Sequence, residues 1–383
     1  MAAKRMSRVS GSATIKMARK VKELEAKGEK VVSFTLGEPD FDTPKHVRKA
    51  AEEALEKGLT HYGPSAGIPE MRVAVAERSS KANKIPCTAD DVLVTPTKMS
   101  IFMTILAHID DGDEVLVPDP AWVSYGPCIS LAGGKCVPVP TSQEDGFQVT
   151  HERLARLVTP KTRMIIINTP SNPTGGVLTR ECLKGIADLA KDKNLLVLSD
   201  EVYERIIYDG EHVSIASLDG MWERTITSSG LSKSFAMTGW RIGWAVAPKA
   251  LMADIMKLQE HSVTCIPTFI QKAGVAALTG PDEPVQEMVT EFKARRDIAM
   301  GLLKKIEALR CPTPKGAFYL FPKYDGKVSS EQMSDRLLYE GKVAVTAGSA
   351  FGASGEGHFR MSYATSRENI TEGMKRIAET LAK

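Results

Sequence analysis

The sequence predicts an α/β protein in which a mostly parallel sheet, covered by helices, is joined to a smaller α+β unit. Three observations carry this expectation. Short apolar runs alternate with helical patterns through the middle of the chain. Several of those runs, such as Met164 to Asn168 and Leu195 to Ser199, lack polar alternation, which is expected of strands buried on both faces of a parallel sheet. A Thr279-Gly280-Pro281-Asp282 breaker then ends this alternation and introduces a long helix.

A chain of 383 residues allows two domains at roughly 100 to 200 residues each. The expected division is a large domain over 45–282 and a small domain made of 1–44 and 283–383, with the N-terminal arm joined to the C-terminal part.

Along the chain, Ile15, Ala18, Val21 and Leu24 recur at helical spacing, and Gly28 supplies a stop before the extended Val31-Val32-Ser33-Phe34. A second amphipathic stretch follows Pro44 and reaches Gly58. The apolar run Met99 to Ile109 is too short for a bilayer and reads as a buried helix. Strands are expected at Glu114 to Val117, Met164 to Asn168, Leu195 to Ser199, Thr225 to Thr227 and Ile242 to Val246. The long helix after the breaker is expected to run through Val285, Val289, Phe292, Leu302, Ile306 and Leu309.

The charge balance narrows the function classes. Fifty Lys and Arg against 47 Asp and Glu leave +3, with no concentrated basic face of the kind a nucleic-acid backbone requires. Neither nucleic acid nor a membrane is an expected partner. Six cysteines without a Cys-x-x-Cys pair, and no His at metal-ligand spacing, suit reduced thiols and no metal site. The first 20 residues carry Lys4, Arg5, Arg8, Lys16, Arg19 and Lys20 and no acid, as transit peptides do. The stretch runs straight into a helix pattern, so a solvated basic N-terminus in a cytoplasmic protein is expected.

Several common motifs are absent: Gly-x-Gly-x-x-Gly, Gly-x4-Gly-Lys-Ser/Thr and His-Glu-x-x-His. What remains is polar residues at the carboxyl ends of expected strands, where open α/β sheets place their ligands. In Ser228-Ser229-Gly230-Leu231-Ser232-Lys233-Ser234 a lysine follows a strand among small hydroxyl residues, with Arg241 eight positions on. Such a set suits a phosphorylated carbonyl ligand, Lys233 forming an imine while Ser232 and Arg241 hold the phosphate. Leu196 to Tyr203 puts Asp200 at a strand end with Tyr203 three residues later, and Asn168 to Gly175 is a strand running into an Asn172-Pro173 turn.

With these three segments in this order and spacing, the sequence resembles the fold-type-I pyridoxal phosphate aminotransferases of the aspartate aminotransferase-like class I/II family. Leu36 to Pro44, His61 to Pro69 and Phe359 to Ala364 match it as well, so the resemblance runs from Arg8 to the C-terminus. It implies a large domain with a mostly parallel seven-stranded sheet, pyridoxal 5'-phosphate as cofactor, and a homodimer with shared active sites.

The resemblance also implies roles. Lys233 would hold the cofactor and carry the substrate's α-proton. Asp200 would keep the cofactor's pyridine nitrogen protonated. Tyr203 and Asn172 would donate to its ring oxygen, and Trp122 would stack on the ring. Asn172, Trp122, Gly37 and Arg360 would meet the substrate, with Arg360 gripping the α-carboxylate through a two-pronged ion pair and Gly37 allowing close backbone approach. Tyr62 would reach the partner subunit's cofactor phosphate. The phosphate cup departs from the family. The chain reads Val94-Thr95-Pro96-Thr97-Lys98-Met99-Ser100 where relatives have small residues, leaving Thr97, Lys98 and Met99 as candidates through backbone N–H groups. Gly230 stands where many relatives carry Ser.

The expected function is therefore transfer of an amino group from an L-amino acid to a 2-oxo acid, with aspartate and 2-oxoglutarate as first choices. A broad-range enzyme for aromatic, branched or neutral amino acids is the main alternative, and a β-eliminating C–S lyase on the same fold is another.

Overall fold

The computed structural model describes residues 2–11 and 13–383. Its centre is a seven-stranded sheet whose spatial order is Val92–Val94, Gly243–Val246, Thr225–Gly230, Leu196–Asp200, Thr162–Asn168, Glu114–Asp119 and Lys135–Pro140. All neighbours run parallel except Gly243–Val246, which is antiparallel to both of its partners.

The apolar runs are strands for the reason the sequence suggests. Met164 and Ile166 pack into one side of the sheet with Leu198 and Ile226, while Ile165 and Ile167 pack into the other with Leu183 and Ile186. Each fully buried aliphatic side chain contributes about 1.5–3 kcal/mol, so neither face tolerates a polar residue at these positions. Register then fixes the chemistry: Asn168 lies beside Asp200, and Asp200 beside Ser228, at the carboxyl ends of three adjacent strands.

A second unit holds the helices Glu283–Leu303 and Arg367–Leu381 and a three-stranded antiparallel sheet, Tyr319–Leu320, Phe359–Ser362 and Thr346–Ala347. The N-terminal segment joins it, since Val32–Ser33 pairs in parallel with Val343–Ala344. One apolar cluster includes Phe34, Phe292, Tyr319, Phe359 and Met374 from this unit together with Val202, Tyr203 and Ile206, which follow a central strand. That shared cluster fixes the second unit against the carboxyl edge of the large sheet.

Two sheet strands escape the sequence reading. Val92–Val94 is three residues long, and Lys135–Pro140 contains Pro138 and Pro140. Both are edge strands, where short length and missing N–H donors are tolerated. The long helix ends at Leu303, short of the expectation; Ile306 is buried beyond it, and Leu309 belongs to the short strand Leu309–Arg310. Among the described residues no helix is long and apolar enough to cross a membrane.

Candidate active site

A cavity of about 410 Å³ opens at the carboxyl edge of the sheet, between it and the N-terminal and C-terminal segments. That volume suits a small ligand. Thr97, Lys98, Trp122, Asn172, Asp200, Tyr203, Ser232, Lys233, Arg241, Gly37 and Arg360 all line it. Met99 and Tyr62 do not.

Lys233 lies on the helical turn Leu231–Ser234, directly after the strand Thr225–Gly230. Its Nζ donates to the Gly37 carbonyl at 2.5 Å. Burial pulls the ammonium down to about 8; Glu38 and Asp200 oppose the shift, and Arg241 and Arg360 add to it. The result is an amine that gives up its proton far more readily than an ordinary lysine, so that its nucleophilic, basic neutral form is accessible near neutral pH.

Asp200 ends its strand as a buried carboxyl. Its Oδ2 accepts from the Tyr125 hydroxyl at 2.6 Å, and its Oδ1 accepts from the Val202 N–H at 3.3 Å. Burial nevertheless pushes its carboxyl up to about 6. A carboxylate in that environment is stabilised by a cationic partner such as a protonated ring nitrogen. Asn168 braces the turn beside it: its side-chain amide donates to the Asp200 carbonyl at 3.0 Å, while its Oδ1 accepts from the Asn172 N–H at 2.8 Å.

Arg360 occupies the central strand of the three-stranded sheet and is 3% exposed. Nη1 donates to Asn172 Oδ1 at 3.1 Å, and Nη2 to the Thr35 carbonyl at 2.6 Å. Nε is buried without a partner, and no carboxylate pairs with the guanidinium among the described residues. Burial lowers its pKa, so a carboxylate ligand would relieve an uncompensated buried charge.

On the opposite side, the helix Thr97–His108 presents its N-terminus to the cavity. The Met99 N–H is already taken by the Pro96 carbonyl at 2.7 Å, and the Met99 side chain packs into the sheet core. Met99 is thereby set apart from Thr97 and Lys98, which do line the cavity. Arg241 holds a left-handed backbone, φ 56°, and its Nη1 donates to the Thr238 carbonyl at 2.7 Å. Such strain in a non-glycine residue is typical of functional sites. Trp122 lies edge-on to Tyr125 at 5.2 Å, and the Lys98 ammonium sits 4.9 Å from its ring centroid.

The structure accounts for the unusual phosphate-side sequence. A Cβ on Gly230 would lie 2.4 Å from Thr97 Oγ1, and that hydroxyl donates to the Ser229 carbonyl at 3.0 Å. Thr97, with the Gly243 backbone 2.8 Å from the same point, therefore fills the space that a side chain at 230 would need. Gly37 serves a similar end, because its missing Cβ would meet the Tyr319 hydroxyl at 2.6 Å.

Among the lining or supporting residues that went unassigned at the level of sequence, Tyr125, Asn168, Glu38 and Tyr319 make the contacts that matter here. Asn168 opens a motif segment and Tyr125 follows Trp122 by three residues, but their placement against Asp200 exists only in the folded protein. Glu38 accepts from the Thr238 hydroxyl at 2.9 Å across a separation of 200 residues, which no local pattern encodes. Behind Asp200, Glu201, Glu204 and His212 come within 4.8 Å of one another. Glu201 already accepts from Ser199, Ser214 and His212 at 2.8, 2.7 and 2.9 Å, so its carboxylate is engaged within the protein, while His212 Nδ1 is buried without a partner.

A lysine with a lowered pKa, a buried carboxyl, a flat indole and a helix N-terminus with Arg241 nearby together suit a phosphorylated aromatic aldehyde. Comparison with known proteins agrees. Residues 29–377 match the family described as aminotransferase class I and II. Aromatic-amino-acid aminotransferase 2 of Thermococcus litoralis is 47% identical over 371 residues, covering 95% of each chain. Aspartate aminotransferase of Pyrococcus abyssi is likewise 47% identical over 371 residues, again covering 95% of each. The structure of Thermus thermophilus aspartate aminotransferase with maleate superposes with a TM-score of 0.95 at 39% identity, with all of both chains covered. The chain belongs to the class I and II aminotransferase family, whose members depend on pyridoxal phosphate. It is an amino-acid aminotransferase with the fold-type-I architecture of that family.

Proposed function

We propose that the enzyme transfers the amino group of aspartate to 2-oxoglutarate, with Lys233 as its catalytic residue and Arg360 as the reader of the substrate α-carboxylate. The observation that carries the reading is the buried Arg360 guanidinium, with its unpartnered Nε and no carboxylate partner, lining the same cavity as Lys233. Bound pyridoxal phosphate supplies an electron-withdrawing ring that stabilises negative charge developing at the substrate's α-carbon.

The chain's own residues do the rest. Asp200 holds the anionic charge that keeps a ring nitrogen protonated, and Tyr125 orients that carboxylate. Thr97, Lys98, Ser232 and Arg241 hold the phosphate. Trp122 covers one face of the ring, and Tyr203 and Asn172 donate to its oxygen. Arg360 orients the amino acid so that Lys233 Nζ, as a neutral amine, can remove the proton from its α-carbon.

The division into a large domain over 45–282 and a small one from 1–44 and 283–383 places the carboxylate reader and the lysine on different bodies. Tyr62 is 88% exposed and lies outside the cavity of its own chain. Its exposure suits a residue that serves the partner's site in a cytoplasmic homodimer.

Aspartate ranks first because relatives named for it recur among the similar proteins, including one from Musicola paradisiaca that is 39% identical. The relative from Thermococcus litoralis, named for aromatic amino acids, keeps the broad-range reading as the alternative. A product assay decides. Aspartate with 2-oxoglutarate should yield glutamate, whereas pyruvate and ammonia from cysteine or cystathionine would indicate a lyase. Faster turnover of phenylalanine than of aspartate would favour the aromatic reading.

A further inference from the structure

Tyr319 was assigned no role from the sequence, yet it stands between two of the groups that the proposed function uses. It is fully buried, lines the cavity, and belongs to the strand Tyr319–Leu320, which pairs antiparallel with the Arg360 strand. Its hydroxyl lies 2.8 Å from the Tyr203 hydroxyl, and its ring lies 4.7 Å from the Arg360 guanidinium. The two tyrosine rings meet edge to face at 5.8 Å and 83°, which fixes the angle between the hydroxyls. The chain also makes room for this one oxygen atom, because any residue but glycine at 37 would place its Cβ 2.6 Å from it.

A phenol has one proton to donate. If Tyr203 spent its proton on Tyr319, none would remain for a ligand oxygen. We propose that Tyr319 is a positioning residue whose hydroxyl donates to the Tyr203 oxygen, leaving the Tyr203 proton for the cofactor, and whose ring seats the Arg360 guanidinium. Burial raises both phenols above their ordinary range, so each keeps its proton at any working pH. An accepted hydrogen bond also polarises the Tyr203 O–H and strengthens it as a donor. The cation over the ring is held by an interaction that needs the aromatic face and not the hydroxyl. The two functions of Tyr319 are therefore separable by substitution.

The inference rests on the roles proposed above for Tyr203 and Arg360. The charged and titratable groups facing the Tyr203 hydroxyl are Tyr319, Arg360 and Asp200, with Lys233 lining the same cavity. The test records the absorbance of bound pyridoxal phosphate against pH in holoenzyme of the wild type, Tyr319→Phe, Tyr203→Phe and the double variant. Tyr319→Phe, which keeps the ring, should raise the titration midpoint by about half a unit, because a weaker Tyr203 donor stabilises the deprotonated chromophore less. Tyr203→Phe should raise it further, and the double variant should match Tyr203→Phe alone, since Tyr319 acts only through Tyr203. Tyr319→Leu, which also removes the ring, should raise KM for aspartate, alanine and phenylalanine roughly tenfold beyond Tyr319→Phe.

An unmoved midpoint in Tyr319→Phe, or additive shifts in the double variant, would overturn the hydroxyl relay. Equal KM values in the Phe and Leu variants would overturn the seating of Arg360. A wild-type protein that binds no chromophore would overturn the reading of the site itself, a separate outcome from either.

Discussion

The Tyr125 hydroxyl donates to Asp200 Oδ2 at 2.6 Å, with both groups buried, so the acid at the end of the central strand is held by a residue 75 positions earlier in the chain. This bond opposes the effect of burial on Asp200 without cancelling it, and the carboxyl stays near 6.

In the cofactor-free chain the raised Asp200 pKa makes stability depend on pH. A carboxyl whose folded pKa exceeds its unfolded value binds its proton more tightly when folded. Its contribution is therefore most favourable below about pH 4 and is lost as pH rises through about 6. Asp200→Asn should stabilise the cofactor-free protein by about 1–3 kcal/mol at pH 7.5 and by little at pH 4, read from denaturant midpoints at the two pH values. In the holoenzyme the same change should cost about 10³-fold in rate through loss of the anion beside the ring nitrogen. An equal stability change at both pH values would show that burial of charge is not what perturbs Asp200.

Arg360→Lys should raise KM for aspartate, alanine and phenylalanine alike, because a point charge replaces a planar fork and all three substrates share the α-carboxylate. Steady-state kinetics on the three substrates tests this. A loss confined to aspartate would make Arg360 a reader of the side-chain carboxylate instead.

Thr97 and Gly230 should behave as a matched pair. Gly230→Ser alone should weaken phosphate-side binding, raising the Kd for pyridoxal phosphate about tenfold or more, because its Cβ would collide with Thr97 Oγ1. Adding Thr97→Gly should recover only part of that loss, because the same Cβ would still lie 2.8 Å from the Gly243 Cα and 3.1 Å from the Ile242 carbonyl oxygen. Fluorescence titration of the cofactor reads both, and independent, additive effects would show that the contact does not constrain the pair.

If Tyr62 serves the neighbouring subunit, a Lys233→Ala chain mixed with a Tyr62→Ala chain should form heterodimers with one fully native site. Activity per native site should approach that of the wild type after subunit exchange. Sedimentation as a monomer at micromolar concentration, or no gain on mixing when Tyr62→Ala is itself impaired, would place Tyr62's role within its own chain.

Much of the architecture is legible in the sequence because buried parallel strands must be apolar throughout, as Met164–Ile167 and Val197–Leu198 are. Edge strands are less legible. Lys135–Pro140 is half exposed and carries prolines, so its pairing partner, and not its composition, makes it a strand. The site divides in the same way. Lys233, Asp200, Asn172 and Arg360 sit in short motifs whose residue types announce their chemistry. Tyr125, Tyr319 and Glu38 act through contacts with residues 75, 116 and 200 positions away, which only the fold brings together. Met99 shows the converse, since its motif position suggested a phosphate donor but helix geometry commits its N–H to Pro96.

In the proposed function, Lys233 holds the cofactor. It stands in the cavity with its amine pulled down to about 8, while the cavity's other lysine, Lys98, sits against Trp122. Borohydride reduction of the holoenzyme, followed by proteolysis and mass mapping, tests it directly. The expected result is one cofactor-derived mass increment per chain, on the peptide containing Lys233, and none in Lys233→Ala. A label on Lys98 or any other lysine would contradict it.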